Sequence, residues 1–326
     1  MPATRTIRNT LDFVMTKPSL TKVLGNPITG LGGLAVPINI AQRVVEEMLQ
    51  EPFSWKWNRR EPAPFVTNQL QQDYSTSITD LAWIDGCTRT EMNNPSFAPP
   101  SPPTSPQRGV EVVRELFPCS IPGIPNQICW IPNSLAICGT WQAGLTYTNP
   151  GASTQMPIQY LMQIRDPNGN IQVLTGFGTT GTTEPVWNTT ANGTTTDGTC
   201  TWTMADPNGI TWRLSPLPPN AGLPYLIQPY YQMKAPVFTS VNNLWTIPDD
   251  LSNVYEMGFT AYSYDAGEDE ANFEKKYQLF MVRLKKAVQA GDREPESFGM
   301  FPSRSLTGVV GTMTRGDEQY PPGLFE

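Results

Sequence analysis

The stretch IPDDLSNVYEMGFTAYSYDAGEDE, residues 247–270, reads as a helix start that runs into an acidic turn. Pro248 suits a first helical turn, and Asp249 and Asp250 place negative charge at the electropositive end of a helix. Apolar and aromatic residues then recur at helical spacing as far as Tyr262. The spacing therefore predicts a helix with one apolar stripe that ends at the acidic turn.

A second helix is predicted directly after this turn. In DEANFEKKYQLFMVRLKKAVQAGDRE, residues 269–294, aromatic and aliphatic residues fall on one face, basic residues come in the later turns, and Gly291 supplies a stop. The stripe of the first helix includes Gly258, so that a neighbour can approach its backbone closely. The two segments predict an antiparallel helical hairpin over 249–291.

A third helix is predicted upstream of the hairpin. INIAQRVVEEMLQEPFSWKW, residues 38–57, has the same periodicity and is closed by Pro52. It predicts a helix near 38–50, which would complete a small helical bundle. Residues 1–33 are polar and rich in glycine and predict an N-terminal arm. The proline-rich residues 93–109 predict a crossover loop, with a PxxP ligand as the rarer alternative.

Between the helices the sequence is typical of β-structure. Residues 139–214 are rich in Thr, Gly, Asn and Trp with few charges, and predict an inserted all-β module. Two Asp-Pro-Asn-Gly turns, at 166–169 and 206–209, resemble each other but are too few to establish a repeat. The predicted fold class is α+β: a small helical bundle, β-strands and the inserted module. The predicted organisation has a discontinuous core at 34–138 and 215–291 and an extended tail at 292–326.

Composition excludes several kinds of chemistry. The chain has 326 residues, no histidine and a formal net charge of −7. Without histidine there is no Ser-His-Asp or Cys-His nucleophile system, and the negative charge disfavours tight binding of nucleic acid. Five cysteines without a C-x-x-C pair predict buried free thiols rather than a zinc site. With no long apolar run and no secretory leader, we expect a cytoplasmically made protein without enzymatic activity, cofactor, metal or membrane partner.

The tryptophans of the module allow two interpretations. Exposed Trp141 and Trp187 would stack on sugar rings and make the chain a glycan-binding protein, whereas buried indoles would form the core of a small module. A hydrolase with paired carboxylates is a third interpretation. Its candidates within the module are Glu184, Asp197 and Asp206, each beside turn residues where acids are common.

Three segments carry a family resemblance: QQDYSTSITDLAWID at 71–85, MKAPVFTSVNNLWTIPDDLSNVYEMGFTAYSY at 233–264, and GMFPSRSL at 299–306. Together with the helices they resemble head-to-tail adaptor proteins of tailed phages, of the tail tubular protein A type found in short-tailed phages. The resemblance covers 34–92 and 228–306, and consists of a pattern of helices and aromatics rather than of reactive groups.

The resemblance implies a structural virion protein that forms a ring, commonly twelvefold in this family, in the neck between portal and tail. Its partners would be further copies of the chain, the portal protein and a tail or nozzle protein. It would assemble in the host cytoplasm, and DNA would pass through an acidic lumen that repels phosphates. The module departs from a minimal adaptor and would decorate the neck or touch a cell-surface glycan.

Two sets of residues are assigned to contacts on this basis. The tail from Glu294 would dock on the portal through aromatic and arginine anchors, with a disordered tail as the alternative. The basic end of the second hairpin helix would pair with the acidic turn of the next subunit, or else form a solvated face. The proposed portal anchors are Phe298, Phe301 and Arg304. The proposed inter-subunit residues are Arg283, Lys285 and Lys286 on one side and Glu268, Asp269 and Glu270 on the other.

Overall fold

The computed structural model describes residues 4–16, 35–91, 105–106, 122–149, 162–219, 224–267 and 269–293. Helices and antiparallel sheets both occur in these ranges, which confirms the mixed α+β class. The helices are α1 (Ile7–Met15), α2 (Ala35–Leu49), α3 (Ser252–Asp265) and α4 (Glu270–Arg293). A 3₁₀ turn, Asp249–Leu251, leads into α3.

The described strands form three sheets, which we number by their place in the chain. The first sheet joins β1 (Arg59–Arg60), β2 (Phe65–Val66) and β4 (Leu81–Glu91) to β12 (Tyr225–Met233). The second has the order β3 (Asp73–Ser75), β11 (Ile210–Ser215), β6 (Gln127–Pro132) and β5 (Ser105–Pro106), with β5 parallel to β6. The third has the order β7 (Gln163–Arg165), β8 (Ile171–Gly176), β10 (Cys200–Met204) and β9 (Thr194–Asp197).

The four helices share one apolar core, which we call the helical core. Trp245 lies within it, fully buried, and stacks on Tyr255 with the ring centroids 4.4 Å apart. Its indole Nε1 donates to Thr10 Oγ1 at 3.0 Å, so that the side chain satisfies its polar group while burying both ring faces. One indole therefore joins α1, α3 and the segment between β12 and α3.

The close approach of α3 to its neighbours depends on a glycine. A Cβ at Gly258 would lie 2.9 Å from the ring of Phe280 in α4 and 3.0 Å from Val44 in α2. Farther along α3, the ring of Tyr262 contacts those of Phe273 and Tyr277. Because later residues of α3 meet earlier residues of α4, the two helices run antiparallel.

A carboxylate of α2 contacts both α3 and α4. Glu47 accepts a hydrogen bond from the hydroxyl of Tyr277 at 2.8 Å and a longer one from that of Tyr262 at 3.5 Å. Burial, reinforced by Glu47, raises the pKa of Tyr277 to about 12. Both phenols therefore stay protonated near neutral pH and act as donors.

The N-terminal residues contribute a helix that the sequence analysis did not predict. Thr6 caps α1 through a reciprocal capping box with Asn9. Ile7, Leu11 and Val14 are buried in the helical core. The prediction of an arm over residues 1–33 is therefore wrong for 7–15, and residues 17–33 lie outside the described ranges. The short apolar stripe is easily missed beside the glycine-rich stretch that follows it.

Asp249 joins the chain start to the beginning of α3. Its carboxylate accepts from the backbone N–H of Thr4 at 3.1 Å and from the hydroxyl of the same residue. The backbone N–H of Arg5 donates to it as well, at 3.4 Å. These hydrogen bonds to the charged form, those of Thr4 above all, lower the pKa of Asp249.

This lowered pKa predicts a pH dependence of stability. A group whose pKa is lower in the folded state stabilises the fold above its unfolded pKa, and that contribution is lost as the pH falls through the folded pKa. We expect Asp249→Asn to reduce the free energy of unfolding at pH 7, and the difference from wild type to shrink as the pH falls below the ordinary pKa of an aspartate and through the lower pKa of folded Asp249. Urea unfolding at several pH values measures this, and a difference that is unchanged in acid would contradict it.

The first and second sheets face each other across a shared apolar core, the sheet core. Trp212 of β11 and Tyr231 of β12 approach across it, with ring centroids 6.5 Å apart. An ion pair lies beside it, since Arg213 Nε and Nη2 each donate to Asp73 at 2.7 Å. Asp73 Oδ2 also accepts from the backbone N–H of Ile137 at 2.6 Å. The pair thus fixes β3, β11 and the chain leading away from β6.

A buried glutamine connects the helices to the first sheet. Gln232 of β12 is fully buried. Its Oε1 accepts from the backbone N–H of Trp55 at 3.3 Å, and its Nε2 donates to Asp85 Oδ2 at 3.1 Å. Trp55 itself lies in the helical core and donates from Nε1 to the carbonyl of Met48 at 2.6 Å. The exit of α2 is therefore held on the sheet by satisfied polar groups.

The third sheet has its own tryptophan-rich core, and we call residues 139–149 and 162–205 the tryptophan unit. The predicted module boundary at residue 214 is wrong, because β11 pairs with β3 and β6 in the second sheet. The Asp-Pro-Asn-Gly turn at 166–169 closes a hairpin between β7 and β8. The one at 206–209 instead leads from the third sheet to the second. Similar turn sequences thus serve different connections.

Candidate functional site

The outward face of α4 is the first candidate for a functional surface. On the inner side of this helix, Phe280 and Leu284 are fully buried in the helical core. On the opposite side, Leu279 is 45% exposed and Val282 is 50% exposed. Because these two exposed aliphatic side chains are neighbours on an anchored helix, we take this face as a candidate interaction surface. We call this surface the outer face of α4.

Basic residues surround the two aliphatic side chains. The predicted inter-subunit residues Arg283, Lys285 and Lys286 are all exposed. Within the described part of the chain, no ion pair involves any of them. Arg283 also lines, with Lys276 and Met257, a depression of about 280 Å³ between α1, α3 and α4. The basic charge therefore lies at the surface and is available to an acidic partner.

The acidic residues that were predicted to contact the next subunit come at the start of the same helix. Asp269 uses its carboxylate to cap α4, accepting from the backbone N–H of Asn272 at 3.2 Å and from its side-chain Nδ2 at 2.6 Å. Glu270 is exposed, and Glu268 lies outside the described residues. The acidic and basic ends are separated by about 20 Å along the helix axis, at roughly 1.5 Å per residue. They cannot pair with each other within one helix.

The structure adds Phe13 of α1 to this surface. Its side chain is half exposed and lines the same depression as Arg283 and Lys276. The sequence analysis did not include Phe13 because it predicted residues 1–33 to be an arm. The available signal was the spacing of Ile7, Leu11 and Val14, which places Phe13 on the other side of a helix.

The tryptophans proposed for glycan stacking occupy the core of the tryptophan unit. Trp187 is buried and meets Trp202 edge to face, with centroids 5.9 Å apart. Trp141 is partly buried against the same core, and its Nε1 donates to Asp197 at 2.8 Å. Trp187 presents no open ring face, so its assignment as a sugar platform is wrong. Trp141 is only partly buried, and its assignment stays a prediction. Short strands need large side chains to bury enough apolar area, which explains their position.

The three carboxylates considered for a hydrolase all have structural partners. Asp197 is buried and accepts from the indoles of Trp141 and Trp202 and from the backbone N–H of Gly181. Glu184 accepts from the Nε1 of Trp187 at 2.9 Å. Asp206 accepts from the backbone N–H of Asn208 at 2.8 Å within its turn. Their hydrogen bonds thus organise the fold locally.

The proposed portal anchors Phe298, Phe301 and Arg304 lie outside the described residues. Four cysteines within the described ranges are free thiols, as predicted, and three of them are buried. Burial raises the pKa of Cys129 to about 12, so that its thiol stays protonated at neutral pH.

The described residues contain no cluster of three or more Cys, Asp or Glu side chains arranged to hold a metal ion. In this part of the chain, no helix combines the length and apolar character needed to cross a bilayer. Comparison of the sequence with models of protein families and with curated proteins finds no match in either set.

Proposed function

We propose that this chain is a head-to-tail adaptor subunit of a tailed phage, assembled with further copies into a ring between the portal and the tail. In this proposal the four helices form the small bundle that builds the ring wall, and the tryptophan unit is a β-module inserted into the adaptor core. DNA passes through the ring, and the subunit acts by its shape. The resemblance of segments 71–85 and 233–264 to such adaptors motivates the proposal.

The outer face of α4 is the observation that carries the proposal. Leu279 and Val282 expose apolar area on a helix whose other side is anchored in the helical core. Exposed apolar side chains with a charged rim resemble the composition of protein interfaces. A long helix packed along one side into the helical core is also stiff, so that contacts on its outer face fix the orientation of a neighbour. Both properties suit a subunit of a closed ring.

The distribution of charge along α4 favours head-to-tail contacts. Glu270 lies at the start of the helix, and Arg283 and Lys286 lie in its later turns. A contact between different surfaces of two identical subunits brings such opposite ends together, and its repetition closes a ring when the rotation permits. Charges that cannot pair within a subunit can then pair between subunits. The expected complex is commonly a twelvefold ring that also contacts the portal and a tail or nozzle protein.

The net charge of the chain is consistent with passage of DNA. At −7, the subunit as a whole repels phosphates. The basic cluster that includes Lys285 would be sequestered at the subunit contact in the ring, away from the lumen. Negative potential around the lumen would then keep the DNA from adhering.

Electron microscopy of the chain mixed with its portal protein tests the proposal. We expect wild type to form closed rings on the portal. Arg283→Glu combined with Lys286→Glu should abolish ring formation, because it opposes negative charge to the acidic end of the next subunit. Far-UV circular dichroism should stay unchanged, since both side chains are exposed.

A matched control is available on other surfaces of the subunit. Arg8→Glu combined with Lys56→Glu changes the net charge by the same amount at two other exposed positions. This control variant should form rings as wild type does. Normal rings from the α4 variant would contradict the role of this helix, and absence of any complex between wild type and portal would contradict the proposed function.

A further inference from the structure

The outer face of α4 concentrates positive charge in a chain whose net charge is −7. Residues 275–286 include five basic residues and no acidic one: Lys275, Lys276, Arg283, Lys285 and Lys286. All of these are exposed except Lys276, which is half-buried. Within the described ranges, none of them forms an ion pair. Because no described residue neutralises this charge, the face attracts an acidic partner.

The order of side chains along the face disfavours a second α4 as that partner. Lys275, Leu279, Val282 and Lys286 are all exposed and follow one another at spacings of four, three and four residues. This spacing places them along one line of the helix, with a lysine at each end of an aliphatic centre. An antiparallel pair of α4 helices centred on the aliphatic residues would place Lys275 opposite Lys286, and a parallel pair would oppose each lysine to itself. Opposed like charges are unfavourable, so the face fits a partner with an apolar centre and acidic ends.

One segment of the chain itself has this composition. Residues 317–326 read DEQYPPGLFE and contain no basic residue. Asp317 and Glu318 precede the apolar and aromatic residues of the segment, and Glu326 follows them. The segment lies outside the described residues. Other stretches outside the described ranges match the face less well in charge: 17–34 is basic, 107–121 has as many basic as acidic residues, and 150–161 has neither.

The length of chain between α4 and this segment is sufficient for docking within one subunit. The centre of the outer face lies about 20 Å back from Arg293 along the helix, at roughly 1.5 Å per residue. Residues 294–316 connect Arg293 to the segment. An unstructured chain of about 23 residues has a root-mean-square span of roughly 26 Å. A tether whose span matches the distance to its site gives an effective concentration of about 1 mM.

We propose that residues 317–326 bind the outer face of α4 of the same chain in the free subunit. Asp317 and Glu318 face the lysine at one end of the face, and Glu326 faces the lysine at the other. The apolar residues between them cover Leu279 and Val282. At an effective concentration of about 1 mM, a segment with a dissociation constant of about 0.1 mM is docked about nine-tenths of the time. A second subunit at micromolar concentration competes poorly with such a tethered segment.

The consequence for assembly rests on the proposed function. The docked segment would cover the same basic residues that the ring contact uses, and so would keep free subunits apart. The proposed portal anchors Phe298, Phe301 and Arg304 lie in the connecting residues 294–316. Binding of these anchors by the portal would draw the segment away from α4. The ring contact would then become available only on the portal.

Photo-crosslinking of the full chain without the portal tests the docking. Phe325 is replaced by p-benzoylphenylalanine, and the crosslinked peptides are identified by mass spectrometry after irradiation. An equal mixture of ¹⁴N- and ¹⁵N-labelled protein distinguishes crosslinks within one chain from those between chains. We expect crosslinks to residues 275–286 within the same chain. Their yield should fall several-fold between low and high salt, because salt screens exposed charges.

Charge reversal on each side identifies the contact. Lys275→Glu combined with Lys286→Glu should lower the crosslink yield by about fivefold to tenfold. Asp317→Lys combined with Glu318→Lys should restore the yield in that variant, which a loss of folding would not allow. Arg8→Glu combined with Lys56→Glu makes the same change in net charge at two exposed positions elsewhere, and should leave the yield unchanged.

Three results would overturn the proposal. They are crosslinks mainly between chains, crosslinks mainly outside α4, and a yield that does not respond to charge reversal on α4. All of these measurements use the free subunit. A failure of the chain to form rings on the portal would therefore contradict the adaptor function and leave the docking result unaffected.

Discussion

Asp73→Asn is expected to lower the free energy of unfolding by about 3–5 kcal/mol, because it removes the carboxylate that pairs with the buried Arg213 guanidinium. Both side chains of the pair are almost completely buried. The aspartate also accepts from the backbone N–H of Ile137, so that the asparagine would lose part of a third contact. Urea unfolding followed by tryptophan fluorescence measures the change.

The control for this prediction is an exposed ion pair. Arg43 Nη1 and Asp265 Oδ2 are 3.0 Å apart, and both side chains are largely exposed. Asp265→Asn should lower the free energy of unfolding by less than about 1 kcal/mol, because solvent screens an exposed ion pair. The double variant Asp73→Leu with Arg213→Met should be more stable than Asp73→Asn alone, since it removes both members of the buried pair. Equal losses for Asp73→Asn and Asp265→Asn would show that the buried pair does not hold β3 and β11 together.

Trp245→Ala is expected to lower the free energy of unfolding by about 3–5 kcal/mol through the cavity it leaves in the helical core. The indole stacks on Tyr255, meets Phe238 and Phe259 edge to face, and donates to Thr10. Its loss would therefore loosen α1 and α3 together. Thermal and urea unfolding report the loss, and hydrogen exchange should show faster exchange of the amides of α1.

Trp130→Ala is the matched control for the tryptophan. Trp130 lies in β6 with 36% of its surface exposed, so that its replacement should cost about 1 kcal/mol. Trp245→Phe should lower the free energy of unfolding by an amount between those for Trp245→Ala and Trp130→Ala. It keeps most of the buried apolar area but leaves the Thr10 hydroxyl without its indole donor. A cost for Trp245→Ala no larger than that for Trp130→Ala would show that the helical core does not depend on this residue.

Periodicity and turn chemistry predicted much of the helical part. The predicted helix near 38–50 corresponds to α2 at Ala35–Leu49, and the predicted hairpin residues fall in α3 and α4. The Pro-Asp-Asp start is a 3₁₀ turn before α3, which agrees with the helix start to within a few residues. The close-approach role of Gly258 was also predicted, because a missing side chain in an apolar stripe has a direct geometric meaning.

The candidate surfaces were predicted less completely. The exposed basic residues of α4 were named from the sequence, since charges opposite an apolar stripe must face outward. Phe13 and the cleft between Phe65 and Leu174 were not predicted. The cleft combines residues from 62–76 with residues from 162–177, which approach only after three sheets have formed. The burial of Trp187 likewise depends on which strands surround it, a property that local spacing does not report.

By itself, the sequence determined the positions of α2, α3 and α4, the mixed class and the absence of histidine chemistry, because these follow from local spacing and composition. Tertiary structure alone decided that β11 belongs to the second sheet and that Asp73 meets Arg213, 140 residues later in the chain. It also decided which tryptophans are buried. The physical reason is that local patterns bias a segment toward a helix or a strand, whereas partners distant in sequence are selected by the combined burial and hydrogen bonding of the whole chain.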